Sequence, residues 1–514
     1  MSREQRDVVV IGGGPGGAMA SSFLAQAGRS VLVLERTPFP RYHIGESLTG
    51  IAGKFIDELG LSEVMNAMEF PPKVGVTVIG TDSHNEFFVP VPFPTWQVRR
   101  EDFDKLLLDR AVGMGVEHRL GTAVGVLRDD AGAVTGIRYT AAGEEEVREV
   151  DCRAVIDASG HSAFLSRQGV AGPRQVDAFG RQIAVFSQFR GAVRDPGVMA
   201  NKTIIFYSKV HHWAWFIPIS PDVVSIGVVM PIVTYKARGQ TPQEVLDWGI
   251  ANINPDLTWR VADAPQVHDV HTIQSYSYRI DPFVGNGWIA IGDAHRFTDP
   301  IFSFGVTAAM LEAKAAAEAI DEGIRTGSFT EPCARFRDYS NRGQDAIYDF
   351  LRYFWKFPAF FAIQTRGLQR RDFIHLFAGD FYNPAMQETL TGIRRNLYTL
   401  PAESFPDPFA RDLAERTLVR FVDFQGLDGI YLRQDDGLVK LFFVVERDAP
   451  EVHAAVADFR ETLLGMLGQD RVALTILSGD DPEETLAAAR QGATPLLSPK
   501  RPGARGARTQ EVAG

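Results

Sequence analysis

Apolar residues near the start of the chain fall in unbroken runs rather than alternating with polar ones. Residues 7–11, DVVVI, end at glycine, and residues 30–36, SVLVLER, run through Glu35. Short β-branched runs bounded by glycine mark buried parallel strands. Between them Ala18 to Ala27, AMASSFLAQA, is rich in small residues, compatible with a helix, and followed by Gly28. Strand, glycine turn, helix and strand together span about thirty residues, the length of one βαβ unit. The same reading predicts strands at 74–80, 133–140, 154–160, 203–207, 223–230 and 288–294, and helices at 102–115, 242–252 and 306–322. Early alternation of strand and helix, with antiparallel-looking strands between about 170 and 280, predicts an α/β domain interrupted by a second, sheet-based one. From about 330 helix formers and aromatics take over, including FLRYFWKFPAFFAIQ at 350–364. That run is a helix face packed on the body or, alternatively, a wall or lid of an aromatic pocket. Residues 415–480 read as two strands, a helix and a strand, and the Pro/Gly/Arg-rich tail 498–514 as disordered.

At 514 residues the chain exceeds what one core organises, so two or three domains are expected. Hydrophobic residues make up 45% and charged residues 23%, which excludes a fibrous or disordered protein. A net charge of -11 argues against a nucleic-acid partner. Two cysteines, Cys152 and Cys333, are too few for a disulfide framework or a four-ligand zinc site. The N-terminus lacks a signal-peptide pattern, and no run of about 18 apolar residues is present. A cytoplasmic protein with no membrane segment and no metal site is expected.

The loop GGGPGG fits G-x-G-x-x-G at Gly12, Gly14 and Gly17. Gly12 permits the tight turn, Gly14 lets backbone amides approach a pyrophosphate, and Gly17 lets helix and strand pack closely. The helix N-terminus adds partial positive charge for the phosphates. Glu35, about 20 residues on, stands where a ribose hydroxyl needs an acceptor. Downstream, IDASG (156–160) and IAIGDAHRFTDP (289–300) each end a buried strand in small residues and an acid. Both resemble the further fingerprints of the FAD-dependent monooxygenase superfamily. That resemblance implies FAD, with Asp293 at the ribityl chain and Arg100 of QVRREDFD near the flavin. Taken singly, Arg100 and Asp293 are equally well surface ion-pair partners.

Residues 211–220, HHWAWFIPIS, place Trp213 and Trp215 on one face of a strand ended by Pro218. On composition this is a core strand with aromatic packing. Together with FPRYHIGESL (39–48), the lysine of FPPKVG (70–75) and DPIFSFGV (299–306), however, WAWFIP resembles the flavin-dependent halogenases over roughly residues 5–400. The phenol and pyrrole members look closer than the tryptophan members.

The resemblance implies a p-hydroxybenzoate hydroxylase-like, Rossmann-type α/β fold. Its FAD domain would be built from 1–75, 97–170 and 270–330, and interrupted by an antiparallel-sheet substrate domain from 76–96 and 171–269. A helical region at 331–400 and an α+β unit at 401–497 follow. Cofactor contacts implied are Gly12, Gly14, Pro15, Gly16, Gly17, Glu35, Arg36, Arg41, Ser47, Arg100, Asp293, Pro300, Gly305 and Val306. Reduced FAD, supplied by a separate flavin reductase, and oxygen would convert chloride or bromide to hypohalous acid. Lys73 would then present this oxidant to a phenolic or pyrrolic substrate, free or carrier-bound. Trp213 and Trp215 would keep the flavin oxidant from hydroxylating the substrate directly. A buried lysine has a lowered pKa and can act as nucleophile or donor, although on position alone Lys73 reads as an exposed surface lysine. The turn Ser303 to Val306 would hold the halide, with Phe304 and Gly305 its nearest residues.

Two features depart from the family pattern. Phe304 stands where family members carry a small or hydroxyl residue, and His295 with Arg296 adds positive charge expected near the flavin phosphates. No catalytic base is identifiable, and His43, Glu46, Tyr276 and Tyr278 are further candidates for flavin or substrate contacts. The competing readings are an FAD-dependent aromatic hydroxylase that binds NAD(P)H itself, and a flavin-binding protein without halogenase activity.

Overall fold

The computed structural model describes residues 4–80, 86–365, 370–397 and, with short interruptions, 407–497; the tail at 498–514 lies outside them. Two compact units are present, Met1–Leu351 with Leu368–Gln387, and Arg352–Gly367 with Glu388–Gly514.

In the first unit, the strand Glu4–Ile11 lies parallel between Val31–Glu35 and Val147–Asp157, with Val10 opposite Val33 and Ile156. Glu117–Arg128 extends this run beyond Val31–Glu35, and Trp288–Ala290 extends it beyond Val147–Asp157. Val8 to Ile11 are all buried because both faces of the sheet are covered. One face packs on the small-residue helix Pro15–Gln26 and on Gly305–Thr326, and the other on Phe164, Leu165 and Tyr278. The first helix begins at Pro15, three residues before the apolar pattern places it, because proline suits the first helical position. Glu117–Arg128 is a strand that the apolar pattern does not reveal. Most of its side chains are half-exposed or exposed, and Gly121 and Gly125 interrupt its periodicity.

Eight strands form the second sheet, in the order Arg296–Phe297, His271–Ile280, Arg174–Arg190, Val223–Pro231, His212–Pro218, Thr203–Lys209, Gly75–Ile79 and Phe87–Pro90. All neighbours are antiparallel except Gly75–Ile79, which runs parallel to Thr203–Lys209. His271–Ile280 thus belongs to the second sheet, although the sequence reading grouped it with the first: it pairs along Arg174–Arg190. Trp215 lies opposite Gly227, where a Cβ would come within 2.2 Å of the indole, so this glycine is a steric condition for the tryptophan. The helix Thr330–Lys356 carries Phe350, which packs edge-on against Phe304, Phe377 and Phe381.

In the second unit, the sheet runs Val472–Leu477, Leu438–Val445, Leu427–Asp435, Thr494–Leu497, accompanied by the helix Pro450–Leu467. The two strands, helix and strand read from the sequence are present, with Thr494–Leu497 as an added edge. Among the described residues no helix is long and apolar enough to cross a membrane.

Candidate active site

A cavity of about 820 Å³ opens in the first unit at the carboxyl ends of the parallel strands, bounded on its far side by the second sheet. Open α/β sheets bind their ligands at that edge, and the volume lies within the roughly 300–1,000 Å³ of cofactor pockets.

Strand Glu4–Ile11 delivers the glycine loop into it. Gly12 has φ +101°, and a Cβ there would lie 2.4 Å from the Ala158 carbonyl oxygen. A Cβ at Gly17 would lie 1.9 Å from the Gly12 oxygen, so Gly17 serves packing and does not line the cavity. At Gly14 a Cβ would meet little but Arg41 Nη2, at 3.6 Å, so this backbone is open to a ligand. Gly14, Pro15 and Gly16 all line the cavity.

The buried Glu35 carboxylate accepts the Gly13 N–H at 2.8 Å and the Thr37 N–H at 2.9 Å, and also faces the cavity. It fixes the loop while presenting an acceptor. Arg36 lines the same wall. Asp157, the acid of IDASG, accepts the amides of Ser159 and Leu165 and fixes the second loop.

Arg100 is 5% exposed, so it is no surface ion-pair partner. Its guanidinium clamps Asp104 at 2.6 and 3.0 Å, and donates to the carbonyl oxygens of Ile44 at 2.7 Å and Gly45 at 3.3 Å. The segment His43 to Ser47 is thereby pinned along the cavity. Arg41 stands between Glu35 and Asp104 and lines it too.

His43 donates from Nδ1 to the Ile44 oxygen, and burial, with Arg100 nearby, holds its pKa down at about 4. It is neutral at pH 7. Burial pushes Glu46 up to about 7. Ser47 Oγ lies 2.8 Å from Thr203 Oγ1 on the second sheet. Asp293 reaches the cavity with His161 Nε2 at 3.5 Å, and burial raises its pKa.

Trp213 and Trp215 form part of the wall contributed by the second sheet, their rings 5.9 Å apart. Trp215 Nε1 donates to Ser225 Oγ at 3.1 Å. Pro300, Ser303, Gly305 and Val306 complete the lining. Ser303 takes the left-handed conformation, and the helix Gly305–Thr326 starts there with amides that have no intrahelical partner.

Lys73 is 5% exposed, which corrects the surface reading. Its Nζ donates to the Leu48 oxygen at 2.9 Å, and burial lowers its pKa to about 7. Lys73 does not line the cavity, but Ser47, the neighbour of Leu48, does. Residues 46–48, 95–98 and 71–73 lie side by side: Val98 N donates to Glu46 O, Leu48 N to Trp96 O, Lys73 N to Thr95 O and Gln97 N to Pro71 O.

Three sequence expectations change. The Phe304 ring is turned away from the large cavity into the cluster of Phe302, Phe350 and Phe381, so only its backbone can serve an anion. His295 and Arg296 supply no free charge to the cavity: His295 Nε2 donates to Glu312 Oε2 at 3.0 Å, and Arg296 Nη1 to Asp345 at 2.7 Å. Tyr278 is buried, and its hydroxyl donates to the Asp293 carbonyl oxygen, so it shapes the turn without lining the cavity. The side chain of Tyr276 lies outside the described residues.

Glu312 is a residue that no motif signals. Fully buried, it accepts from the Gly292 N–H at 2.7 Å, from His295, from Ser340 Oγ at 2.7 Å and from Gln344 Nε2 at 2.9 Å, tying the Gly292–Asp293 turn to two helices. Burial alone would raise its pKa, but His295 and the side-chain donors bring it below the ordinary value. Its contribution is present above the unfolded pKa and is lost as pH falls below roughly 4. Glu312→Leu strands four donors and is expected to cost roughly 3–5 kcal/mol of stability and to weaken FAD binding. Thermal melts and flavin fluorescence titration check this, and melting unchanged from wild type would contradict it.

An extended dinucleotide fits this cavity: glycine backbone open to a pyrophosphate, a ribose acceptor at Glu35, and a long polar and aromatic wall beyond. Comparison with known proteins agrees. Residues 5–329 match the family model described as FAD binding domain. The chain is 46% identical to the 1H-pyrrole-2-carbonyl-[peptidyl-carrier protein] brominase of Pseudoalteromonas luteoviolacea, over 71% of this chain and 89% of that one. It is 29% identical to the corresponding chlorinase of Pseudomonas fluorescens, over 77% of this chain and 93% of that one. The solved structure of the flavin-dependent brominase Bmp2 superposes with a TM-score of 0.74 at 44% identity, covering 76% of this chain and 98% of that one. With residues 5–329 matching an FAD binding domain and a relative that similar over most of its length, the chain belongs to the flavin-dependent halogenases of the FAD-binding-domain family.

Proposed function

We propose that the chain halogenates a pyrrole-2-carbonyl group borne on a peptidyl carrier protein, using bromide or chloride and reduced FAD delivered by a separate flavin reductase. The observation that carries this reading is Lys73, a buried amine one residue beyond the cavity wall. Its nearness in sequence and structure to the brominase supplies the substrate class.

Bound FAD, once reduced, supplies with oxygen the two-electron oxidising power that makes hypohalous acid from halide. Gly14 to Gly16 and Glu35 hold its nucleotide end, while Arg100 holds the segment His43 to Ser47 against it. Ser303, Gly305 and Val306 present the backbone amides of a helix N-terminus, a seat for halide. Trp213 and Trp215 close the wall and exclude water. Lys73 Nζ has one proton engaged by the Leu48 oxygen. With its pKa near 7 it offers both a neutral amine and an ammonium donor at neutral pH. Either form holds hypohalous acid beside an electron-rich ring, which needs no strong base because its own nitrogen activates it.

The test is a reaction containing pyrrole-2-carbonyl carrier protein, a separate NADH-dependent flavin reductase, oxygen and bromide or chloride, followed by intact mass spectrometry of the carrier. Replacement of ring hydrogen by halogen is expected. Substrate-stimulated NADPH oxidation by the chain alone, with oxygen added to the ring, would establish the hydroxylase instead.

A further inference from the structure

Making hypohalous acid consumes a proton. Reduced flavin, dioxygen, halide and one proton give oxidised flavin, hypohalous acid and water. The oxygen–oxygen bond breaks and a halogen–oxygen bond forms; flavin and halide each give up two electrons, and dioxygen accepts all four. The site must supply that proton where water is excluded, and none of the roles assigned so far provides it. Lys73 lies beyond the wall, and His43 is neutral.

Glu46 occupies the required place. It is 1% exposed and lines the cavity, as do Trp213 and Trp215. Its carboxyl is held by the Ser225 hydroxyl. Because Ser225 Oγ accepts the Trp215 N–H at 3.1 Å, its own hydrogen is directed to Glu46. The other oxygen, Oε2, is buried and among the described residues has no hydrogen-bond partner. A carboxylate oxygen left in that condition is costly, whereas a carboxylic acid with its O–H aimed at a ligand is not.

The groups facing Glu46 are Tyr42 on its own segment, Arg100 and Glu101 on the helix Arg100–Gly113, and Ser225 on the second sheet. Arg100 is committed to Asp104 and to two carbonyl oxygens, so it does not hold Glu46 as a salt-bridged anion.

We propose that Glu46 Oε2 is the proton donor for halide oxidation, with Ser225 and Trp215 orienting it. This rests on the halogenase reading above. It also gives the strand His212–Pro218 a second task, since Trp215 then sets the acid as well as the wall.

Two measurements on Glu46→Gln test it. First, the absorption spectrum of bound FAD is titrated with pH. Wild type is expected to show a transition near pH 7 that Glu46→Gln lacks; an identical transition in both proteins overturns the proposal. Second, hypohalous acid is trapped with a small scavenger in the absence of aromatic substrate, which keeps Lys73 out of the readout. At neutral pH the variant is expected to form it roughly 10²–10⁴-fold more slowly and to release hydrogen peroxide. The wild-type rate should fall as pH rises through about 7, where the acid form is lost, and the variant should lose that dependence. Equal hypohalous acid formation in both overturns this assignment alone. Wild-type protein that makes none overturns the halogenase reading with it.

Discussion

Lys73→Met protein is expected to bind FAD, to melt at a higher temperature than wild type, and to halogenate its substrate roughly 10²–10⁴-fold more slowly. Methionine fills nearly the same volume without the amine. The stability gain follows from the sign of the pKa shift. Burial lowers Lys73 from the ordinary lysine value to about 7, so folding at neutral pH strips or buries a charge that the unfolded chain keeps in water. That costs on the order of 4 kcal/mol. Between about pH 7 and 10 the unfolded state binds the extra proton, so wild-type stability rises with pH across that window and the Met variant loses the rise. Flavin reoxidation and peroxide release should continue. A variant that halogenates normally would remove Lys73 from the mechanism, and one that fails to bind FAD would make it structural. A residue that costs stability and repays it in chemistry is the usual sign of a functional site.

The second large effect separates two glycines that look equivalent in the loop. Gly17→Ala places a methyl 1.9 Å from the Gly12 oxygen and 3.2 Å from the Ala158 side chain, at a buried position with no room for it. It is expected to lower stability by roughly 3 kcal/mol or more even without cofactor. Gly14→Val adds its side chain toward the cavity, with Arg41 Nη2 at 3.6 Å the only neighbour met by the new Cβ. The fold should survive and FAD binding should fall sharply, because the side chain stands where the pyrophosphate must approach. Melting curves of the apoproteins, set beside FAD titrations, decide the matter. Equal melting losses in the two variants would refute the division of labour.

The loop was legible because its requirements are local: a β-branched run, three glycines at fixed spacing, and an acid after the next strand. Trp213 and Trp215 were legible as a pair on one strand face for the same reason. Burial of Lys73 was not, since it depends on residues 46–48 and 95–98 folding beside it, and only family likeness singled it out. Glu312 and Gly227 carry no local signal at all. One is an acid in an alanine-rich helix, the other a glycine in an apolar strand, and each acquires its meaning from a residue many positions away. Phe304 looked like a change in a halide site and proved to be a core residue, because whether a side chain on a tight turn points in or out is set by the neighbouring helices rather than by the turn.

Glu46, Ser47 and Leu48 are consecutive, yet they face two ways. The first two face the flavin cavity, and the carbonyl of the third holds Lys73. The separation between the cavity wall and the Lys73 amine is therefore set by a single stretch of backbone, as on a ruler. Inserting one residue between Glu46 and Leu48 would put cavity wall and amine out of step and break the pairing of this segment with Trp96 and Val98.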